Sequence, residues 1–287
     1  MSENNNEKGF LPIKEFAELV GMTPDALRHY DNKGIFRPVK RGIEFENKYR
    51  YYAPPQITAV KMIRVLAEIG VSLDTIKELS EDRTPEKLMK LLSKQKGVIA
   101  DEIVFLQEAF SVISTFLELL NEGISATETE ISVSTMPEKR IILGGINDFD
   151  GSVGFYKAFT RFCSSALEPK LNLSYPVGGY FESMDMFLSE PSKPTRFFSL
   201  DPKGYECIPA GLYMTGYTRG YYGQTNDLPE RMAAFAEKNG LVFTGPVYNI
   251  YLFDELSVSD PDQYLLQATA PVKETRRTPS RRPIRHL

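Results

Sequence analysis

The sequence predicts an α+β protein of several domains: a winged helix-turn-helix head, one long coiled-coil helix and a duplicated α+β domain. Three observations carry this prediction. Two amphipathic helical patterns flank Gly21, an apolar seven-residue repeat runs through the next segment, and two passes of strand, helix and strands follow Gly123. The predicted boundaries are 10–84 for the head, 85–123 for the helix, 127–272 for the last domain and 273–287 for a basic, unordered tail.

The head begins with two helices joined by a tight turn. Apolar residues recur at helical spacing over 12–20, Gly21 breaks the pattern, and Thr23-Pro24 opens a second helix that extends to about Asn32. Threonine is a good N-cap, and proline fits the first helical position because it lacks the N–H that would remain unbonded there. This pattern predicts helix, turn and helix.

A basic segment of alternating character follows over 36–52 and ends in Tyr49-Arg50-Tyr51-Tyr52. Alternation over so short a stretch favours a two-stranded wing. Beyond Pro54-Pro55, helical patterns over 57–69 and 72–79 close the head near residue 83. The head is therefore a compact helical unit with a basic wing.

The segment after Pro85 repeats its apolar residues every seven positions. One line contains Leu92, Ile99, Leu106, Ile113 and Leu120, and a neighbouring line contains Leu91, Val98, Phe105, Val112 and Leu119. Such a stripe predicts a long helix that pairs with another helix. The alternative, that it packs only on its own chain, stays open. Gly97 weakens helicity within this repeat by about 1 kcal/mol.

After Gly123 the pattern becomes that of a mixed sheet domain. Strands are expected at 130–133, 140–146, 175–187, 210–217, 247–253 and 265–271, and helices at 153–167 and 228–239. The order strand, helix, strands occurs twice, which indicates a duplicated α+β unit.

Composition and charge exclude several classes of protein. The net charge is −4, yet residues 28–50 hold 7 Lys and Arg against 3 Asp and Glu, whereas 86–272 have a net charge of −9. We expect a basic nucleic-acid surface on the head and an acidic remainder. No signal peptide or membrane span is expected, so the sequence predicts a cytoplasmic protein without membrane contact.

The sequence offers little for catalysis or metal binding. His29 and His286 are the only histidines, and Cys163 and Cys207 form no metal-binding or disulfide pattern. No phosphate-binding loop or dinucleotide fingerprint occurs. We therefore expect no enzyme activity, no cofactor and no metal.

The head resembles the MerR family of transcription regulators. The resemblance rests on 13–20 with the Gly21 turn, Ala26-Leu27-Arg28-His29-Tyr30-Asp31, Gly34-Ile35-Phe36-Arg37-Pro38 and Tyr49-Arg50-Tyr51-Tyr52. In the usual Leu-Arg-Tyr-Tyr element, His29 occupies the third place. The resemblance implies an antiparallel coiled-coil homodimer on double-stranded promoter DNA. It also implies activation: effector binding leads the dimer to distort an over-long promoter spacer, so that RNA polymerase can use both promoter elements.

A DNA-binding set follows from this resemblance and from residue chemistry. Arg28 lies on the expected recognition helix, where a guanidinium can contact guanine or phosphate. Wing residues would mainly hold phosphates, which fixes register rather than sequence. The expected DNA-binding residues are Thr23, Pro24, Arg28, His29, Tyr30, Lys40, Arg41, Tyr49, Arg50 and Tyr51.

The last domain resembles the gyrase-inhibitor-like effector domain of multidrug-sensing regulators. The resemblance rests on 208–213, 220–223, the helix near Leu228 and 245–252. Aromatic walls suit lipophilic cations, and the expected ligand-binding residues are Tyr180, Phe181, Glu182, Tyr213, Tyr217, Tyr221, Tyr248, Asn249 and Tyr251. The family usually has Glu in the place of Asn249, so Glu182, Asp254 or Glu255 would have to supply the negative charge. The predicted effector is a bulky apolar cation.

Two other functions stay open at this point. Some isolated relatives of the last domain are reported as hydrolases, and turnover by residues 124–272 would reveal such an activity. A repressor that needs no ligand is the other alternative, which ligand-dependent transcription in vitro would separate from an activator.

Overall fold

The computed structural model describes residues 9–41, 49–166 and 175–275. Contacts between Cα atoms divide the chain into two compact units, 1–104 and 105–287. The division falls inside the long helix, so this helix contributes residues to both units. Most of the predicted basic tail lies outside the described residues, and its first two residues belong to the last strand.

The N-terminal unit contains four short helices and three short strands. These are α1 (Ile13–Val20), α2 (Pro24–Asn32), α3 (Gln56–Glu68), α4 (Leu73–Glu81), β1 (Leu11–Pro12), β2 (Lys40–Arg41) and β3 (Arg50–Tyr52). The strands pair antiparallel in the order β1-β3-β2. The wing therefore has a third strand, β1, that was not predicted, and its residues 42–48 lie outside the described part.

Capping explains where the predicted helices begin and end. The Thr23 hydroxyl accepts a hydrogen bond from the amide of Ala26 at 3.1 Å, and the Ser72 hydroxyl accepts one from the amide of Thr75 at 3.2 Å. Each bond satisfies an amide that has no partner within its helix. Gly21 closes α1 with φ of 65°, a left-handed conformation that glycine adopts without steric cost.

Three stacked aromatic rings form the centre of the head's core. The Tyr52 ring lies 4.4 Å from the Phe16 ring and 5.7 Å from the Phe36 ring, measured between centroids. Phe16 lies in α1, Phe36 lies in the segment that follows α2, and Tyr52 lies in β3. The stack therefore packs the wing against the helices. Leu27 and Ile76 complete this core.

The long helix α5 extends over Pro85–Ser125, which is 41 residues and about 60 Å at 1.5 Å per residue. One stretch of 18 residues has a mean hydropathy of 1.7, enough by length and composition for a membrane span, although the sequence reading expected none. Only 17% of that stretch is buried in the structure. A helix with an exposed apolar stripe also has the pattern of a coiled coil.

The exposed stripe of α5 differs in part from the predicted one. In the second predicted line, Val112 and Leu119 are buried within the C-terminal unit. One set of apolar residues on α5 instead recurs in steps of three and four, as positions a and d of a heptad do, while Val104, Phe105 and Phe116 are exposed outside this set. We call this stripe the seam; it consists of Ile103, Leu106, Phe110, Ile113, Leu117, Leu120 and Ile124. All of them are exposed except Leu120, which is half-buried.

The C-terminal unit contains a nine-stranded antiparallel sheet and three helices. After α5, these are β4 (Ile131–Met136), β5 (Lys139–Leu143), α6 (Gly151–Ala166), β6 (Val177–Phe181), α7 (Met184–Ser189), β7 (Arg196–Ser199), β8 (Glu206–Ile208), β9 (Gly211–Arg219), α8 (Leu228–Asn239), β10 (Leu241–Phe243), β11 (Val247–Phe253) and β12 (Leu265–Glu274). The helix α7 lies where strand was expected. It has six residues, too few to show a helical period, and Ser183 caps it by accepting from the amide of Met186 at 3.3 Å.

The order of the strands shows the duplication that the sequence indicated. The main path is β4-β9-β12-β11-β6-β7-β5-β8, and β10 pairs with the edge of β12. The two repeats are β4 to β7 and β8 to β12. The central strands β6 and β11 come from different repeats, and each comes after the long helix of its own repeat, α6 or α8. Going outward, β7 and β5 lie beyond β6, and β12 and β9 lie beyond β11. The first strand of each repeat pairs with the other repeat: β4 pairs with β9, and β8 pairs with β5. The middle of the sheet is therefore the boundary between two similar halves.

The two faces of this sheet pack against different elements. On β11, Val247 belongs to the core formed with α7 and α8, whereas Tyr248, Ile250 and Leu252 belong to the core that includes Leu119 of α5. Successive side chains of a strand point to opposite faces. Val247 therefore lies on the side of α7 and α8, and Tyr248, Ile250 and Leu252 lie on the side of Leu119. The register of β11 shifts between Tyr251 and Phe253, and Phe253 packs on the same core as Leu119.

Candidate functional site

The exposed side of α2 carries two of the residues expected to contact DNA. The Arg28 side chain is 46% exposed and forms an ion pair with Asp25, and His29 is also exposed. Thr23 is exposed too, but its hydroxyl already caps the helix. Tyr30 differs from expectation: it is 9% exposed and packs in the core, because it lies on the face of α2 that is turned toward the other helices. Burial raises the pKa of its phenol.

The wing presents a mixture of exposed and occupied side chains. The Lys40 ammonium lies 4.6 Å from the centre of the Phe10 ring, Tyr49 is 60% exposed, and Tyr51 is half-buried. Arg41 pairs through its backbone with Arg50 across β2 and β3. Lys40 and Tyr49 thus offer a cationic and an aromatic side chain, which suit contact with the phosphates of a nucleic acid.

Arg50 has a structural partner that sequence reasoning missed. Its Nε lies 2.7 Å from Oδ2 of Asp31, whose side chain is wholly buried. A buried carboxylate is costly unless a cation and hydrogen bonds compensate it. Arg50 therefore joins β3 to the end of α2, a structural contact beside its expected role in holding a phosphate.

A shallow groove brings several of these residues together on the head. It is lined by Pro12, Ile13, Lys14, Arg28, Tyr49 and Arg50. The sequence reading did not single out Lys14, which is exposed near the beginning of α1. The groove contains three cationic residues and no acidic one among the described residues that line it. Its chemistry suits a phosphate-bearing partner.

The C-terminal unit contains an apolar cavity of about 410 Å³ on the side of the sheet where α6 lies. A volume of this size matches a small organic ligand. Strands β6 and β11 provide its base, at the boundary between the two repeats. The principal lining residues are Phe116, Phe155, Tyr156, Phe159, Cys163, Tyr175, Val177, Gly179, Phe197, Tyr222, Asn249, Tyr251, Asp254, Glu255 and Leu266.

Only part of the predicted ligand set lies at this cavity. Asn249 and Tyr251 line it. Tyr221 lines an adjoining depression, which we call the outer groove and which shares Tyr156 and Tyr222 with the cavity. The other six predicted residues lie elsewhere: Tyr180, Phe181, Glu182, Tyr213, Tyr217 and Tyr248.

The alternation of strand residues accounts for these six positions. Tyr180, Tyr213, Tyr217 and Tyr248 lie on the α5 side of the sheet. Phe181 packs beneath α7, and Glu182 forms an ion pair with Arg196 at 3.4 Å. Adjacent residues of one strand, such as Tyr248 and Asn249, cannot both face one cavity.

The aromatic wall supplied by α6 was missed by the sequence reading. Phe155 and Phe159 lie one helical turn apart, and their rings are 5.4 and 5.6 Å from the ring of Phe197. The signal was present, because aromatic residues at i and i+4 share one face of a helix. The helix was predicted, but its apolar face was not considered as a cavity wall.

Asn249 is held by the neighbouring strand. Its Oδ1 accepts a hydrogen bond from the amide of Gly179 at 2.9 Å. A Cβ atom at position 179 would lie 2.5 Å from that same oxygen, so a side chain there would prevent the contact. The carboxamide oxygen is thus occupied, and the neutral NH₂ group is the donor that Asn249 can offer.

The rim of the cavity combines tyrosines with two carboxylates. The Tyr222 hydroxyl donates to Oε2 of Glu255, and the Tyr222 ring lies 4.7 Å from the Tyr251 ring and 5.3 Å from the Tyr264 ring. Burial, followed by the hydrogen bond to Glu255, raises the pKa of Tyr222. Burial also raises the pKa of Tyr251.

Tyr156 closes the rim toward the outer groove. Its hydroxyl lies 3.1 Å from the Tyr221 hydroxyl. This hydrogen bond, with a smaller effect of burial, raises the pKa of Tyr156 to about 12. The phenols of Tyr156, Tyr222 and Tyr251 are therefore neutral at physiological pH.

The charge of the cavity is one-sided. The described residues that line it include Asp254 and Glu255 but no lysine, arginine or histidine. Within the described part of the chain, no group of Cys, His, Asp and Glu residues could hold a metal ion. The described lining therefore combines an aromatic wall with two carboxylates and no cationic side chain.

Comparisons with known proteins agree with this geometry. Residues 11–82 match the model of the "MerR HTH family regulatory protein" family. The chain is 27% identical over 273 residues to the "Multidrug-efflux transporter 2 regulator" of Bacillus subtilis, covering 93% of this chain and 98% of that protein. It is 31% identical over 113 residues to the "Transcriptional regulator BrlR" of Pseudomonas aeruginosa, covering 38% of this chain and 41% of that protein.

A solved structure extends over most of the chain at low similarity. It is described as "Cryo-EM structure of EcmrR-DNA complex in EcmrR-RPo", with 17% identity, a TM-score of 0.40, and coverage of 92% of this chain and 100% of that one.

Proposed function

We propose that this chain, which carries a MerR-family helix-turn-helix domain at residues 11–82, is a cytoplasmic transcription activator that responds to a lipophilic cation. The observation that carries the proposal is the presence, in one chain, of a basic groove on a helix-turn-helix head and an aromatic cavity with a negative rim. The relative from Bacillus subtilis, named as a regulator of a multidrug-efflux transporter, matches both parts.

The DNA-binding part of the proposal uses the exposed side of α2 and the wing. Arg28 would contact base edges or phosphates, and Lys40, Arg41, Tyr49 and Tyr51 would hold phosphates beside it. Lys14 belongs with this set, because it lines the same groove as Arg28. Thr23 and Pro24 place the amino-terminal end of α2 at the DNA, and His29 lies next to the expected base contact.

Homodimer formation is proposed along the seam of α5. Its a and d spacing continues for 22 residues, from Ile103 to Ile124, and Phe110 and Ile124 are 76% and 75% exposed. An apolar stripe of this length is unfavourable in water, and pairing with the same stripe of a second copy removes it. By resemblance to the family, the two helices are antiparallel.

The activating step is proposed from the resemblance. A dimer that holds two basic heads on one duplex can bend or untwist the DNA between them, at a cost that depends on sequence. Effector binding would favour the distorted form, so that RNA polymerase can engage an over-long promoter. Transcription in vitro with a purified polymerase tests this step, since a ligand-independent repressor would lower transcript levels with or without ligand.

A titration with operator DNA tests the proposed DNA surface. We expect Arg28→Ala to lower affinity and Lys40→Ala to reduce the slope of log K against log salt by about 1, because one phosphate contact is lost. Lys157→Ala is the control, because Lys157 is exposed on α6 in the other unit. Unchanged affinity and slope in both head variants would refute the assigned surface.

Sedimentation tests the proposed dimer. Phe110→Glu places a charge in the middle of the seam, so we expect a shift toward a 32.5 kDa species. Glu118→Gln on the same helix removes a charge outside the seam and should leave the dimer intact. A wild-type chain that sediments as a monomer at working concentrations would refute the scheme.

A further inference from the structure

The inner part of the cavity has no counter-charge for a cation. Asn249 is uncharged, and its carbonyl oxygen already accepts from the amide of Gly179 at 2.9 Å. Apart from Asp254 and Glu255, the other described lining residues are aromatic, aliphatic, glycine, proline, cysteine, serine or threonine, and none of these side chains carries a positive or negative charge at neutral pH. Burying a cation there would remove its water without providing a charge to replace it, which is costly.

The carboxylates lie instead at the end of β11, where the cavity meets solvent. Glu255 is exposed, and the neighbouring rim residues Tyr156 and Tyr221 are 44% and 42% exposed. Asp254 is engaged by its own turn, since its Oδ1 accepts from the amide of Leu256 at 3.0 Å. Glu255 is therefore the carboxylate with more freedom to meet a ligand.

Aromatic rings surround the position that Glu255 faces. Tyr222 donates its hydroxyl to Oε2 of Glu255, which engages one oxygen of this exposed carboxylate and holds its charge beside the Tyr222 ring. The Tyr222 ring packs against Tyr251 at 4.7 Å. Tyrosine faces attract cations, and an aromatic group with a nearby carboxylate is suited to quaternary ammonium ions.

We propose that the positive charge of the ligand is held at the rim by Glu255 and the Tyr222 ring, while the apolar body fills the cavity beneath α6 and Asn249 donates to an acceptor at the inner end. The ligand class is an elongated amphiphile with a permanent cation at one end. This inference rests on the proposed function of the cavity as a site for lipophilic cations. It assigns charge recognition to position 255 rather than to position 249.

Calorimetry on the full-length protein with two matched probes tests the inference. One probe is the phenylbutyl-trimethylammonium ion, and the other is its uncharged analogue with carbon in place of the nitrogen. The measured quantity is the ratio of the two dissociation constants, which isolates the charge from the shape of the ligand. In the wild-type protein we expect the cation to bind more tightly than its neutral analogue.

We expect Glu255→Gln to reduce this ratio by about fivefold, the effect of one partly exposed ionic contact combined with an oriented ring. Because Glu255 is exposed, the Glu255→Gln variant should fold normally. Tyr222→Phe gives a second measurement of the ratio, because it retains the ring but removes the hydroxyl that donates to Glu255. Glu182→Gln, which neutralises a carboxylate outside the cavity, should leave the ratio unchanged.

The outcomes separate this inference from the function on which it rests. If the cation binds and Glu255→Gln leaves the ratio unchanged, the assignment to Glu255 is wrong while the cavity remains a cation site. A ratio that falls in Glu182→Gln instead likewise overturns it. If the wild-type protein prefers the neutral probe or binds neither, the proposed ligand class fails, and the inference fails with it.

Discussion

The contact between the end of α5 and the sheet depends on the absence of a side chain at Gly123. A Cβ atom at this position would lie 2.8 Å from the ring of Phe253 and 3.1 Å from Cβ of Leu252. The ring edge can move, but the Leu252 Cβ is fixed by the backbone of β11. We therefore expect Gly123→Ala to separate the helix from the sheet locally, despite the better helix propensity of alanine.

The size of this effect follows from two opposing contributions. Replacing glycine by alanine inside a helix stabilises it by about 1 kcal/mol, and forcing a methyl group into a packed contact costs about 1 to 3 kcal/mol. Gly123→Ala should therefore lower the local free energy of opening by about 1 kcal/mol. Gly97→Ala is the matched control on the same helix, because nothing lies within 4 Å of the added Cβ, and it should gain about 1 kcal/mol.

Native-state hydrogen exchange of the α5 amides measures the free energy of local opening near residue 123 and near residue 97 separately. A single melting curve of a chain with two units does not resolve these two sites. The expected result is faster exchange near residue 123 in Gly123→Ala and slower exchange near residue 97 in Gly97→Ala. Slower exchange at both sites would show that helix propensity outweighs the contact, and the close packing of α5 on β11 would then be refuted.

Three further predictions concern the head, the rim and the cavity wall. Arg50→Ala should lower the thermal midpoint of the head by removing about 2 kcal/mol, because the ion pair between Arg50 and the buried Asp31 is lost; an unchanged midpoint in circular dichroism would contradict this. Tyr221→Phe should lower the pKa of Tyr156 from about 12 toward its usual 10.0, measured by phenolate absorbance. In the wild-type protein this phenol keeps its proton longer when folded, so its contribution to stability is present below pH 10 and is lost as pH rises toward 12; a stability that increases over this range would refute it. Phe197→Ala should cost about 3 kcal/mol in urea unfolding of the C-terminal unit, because it leaves a void beside α6, whereas a loss below about 1 kcal/mol would show that the wall collapses.

The sequence predicted helices better than it predicted the faces of strands. The helix over 228–239 and the strand over 247–253 have the bounds that the structure gives them, because glycine and proline mark their ends. The MerR resemblance and the Thr23 cap located the head with similar accuracy. A helix of six residues at 184–189 carries too little periodic signal to distinguish it from a strand.

The candidate site was harder to predict, for a physical reason. Residues 248 and 249 belong to the same strand, yet one faces α5 and the other faces the cavity. Aromatic content does not reveal which face of a buried sheet is filled by core and which encloses a cavity, since both faces are apolar. The Arg50–Asp31 pair was missed because the two residues are 19 positions apart, and only the fold brings them together.

The placement of Phe116 has a thermodynamic consequence. This residue lines the cavity, while Ile113 and Leu117, on the neighbouring positions of the same helical turn, belong to the seam. If two copies associate along that turn, a backbone shift caused by association also moves Phe116, and a shift caused by ligand binding also moves the seam. Reciprocity then requires that the factor by which a guest molecule changes self-association equals the factor by which self-association changes affinity for the guest. Apparent affinity would therefore vary with protein concentration, even for a guest that never touches the second copy.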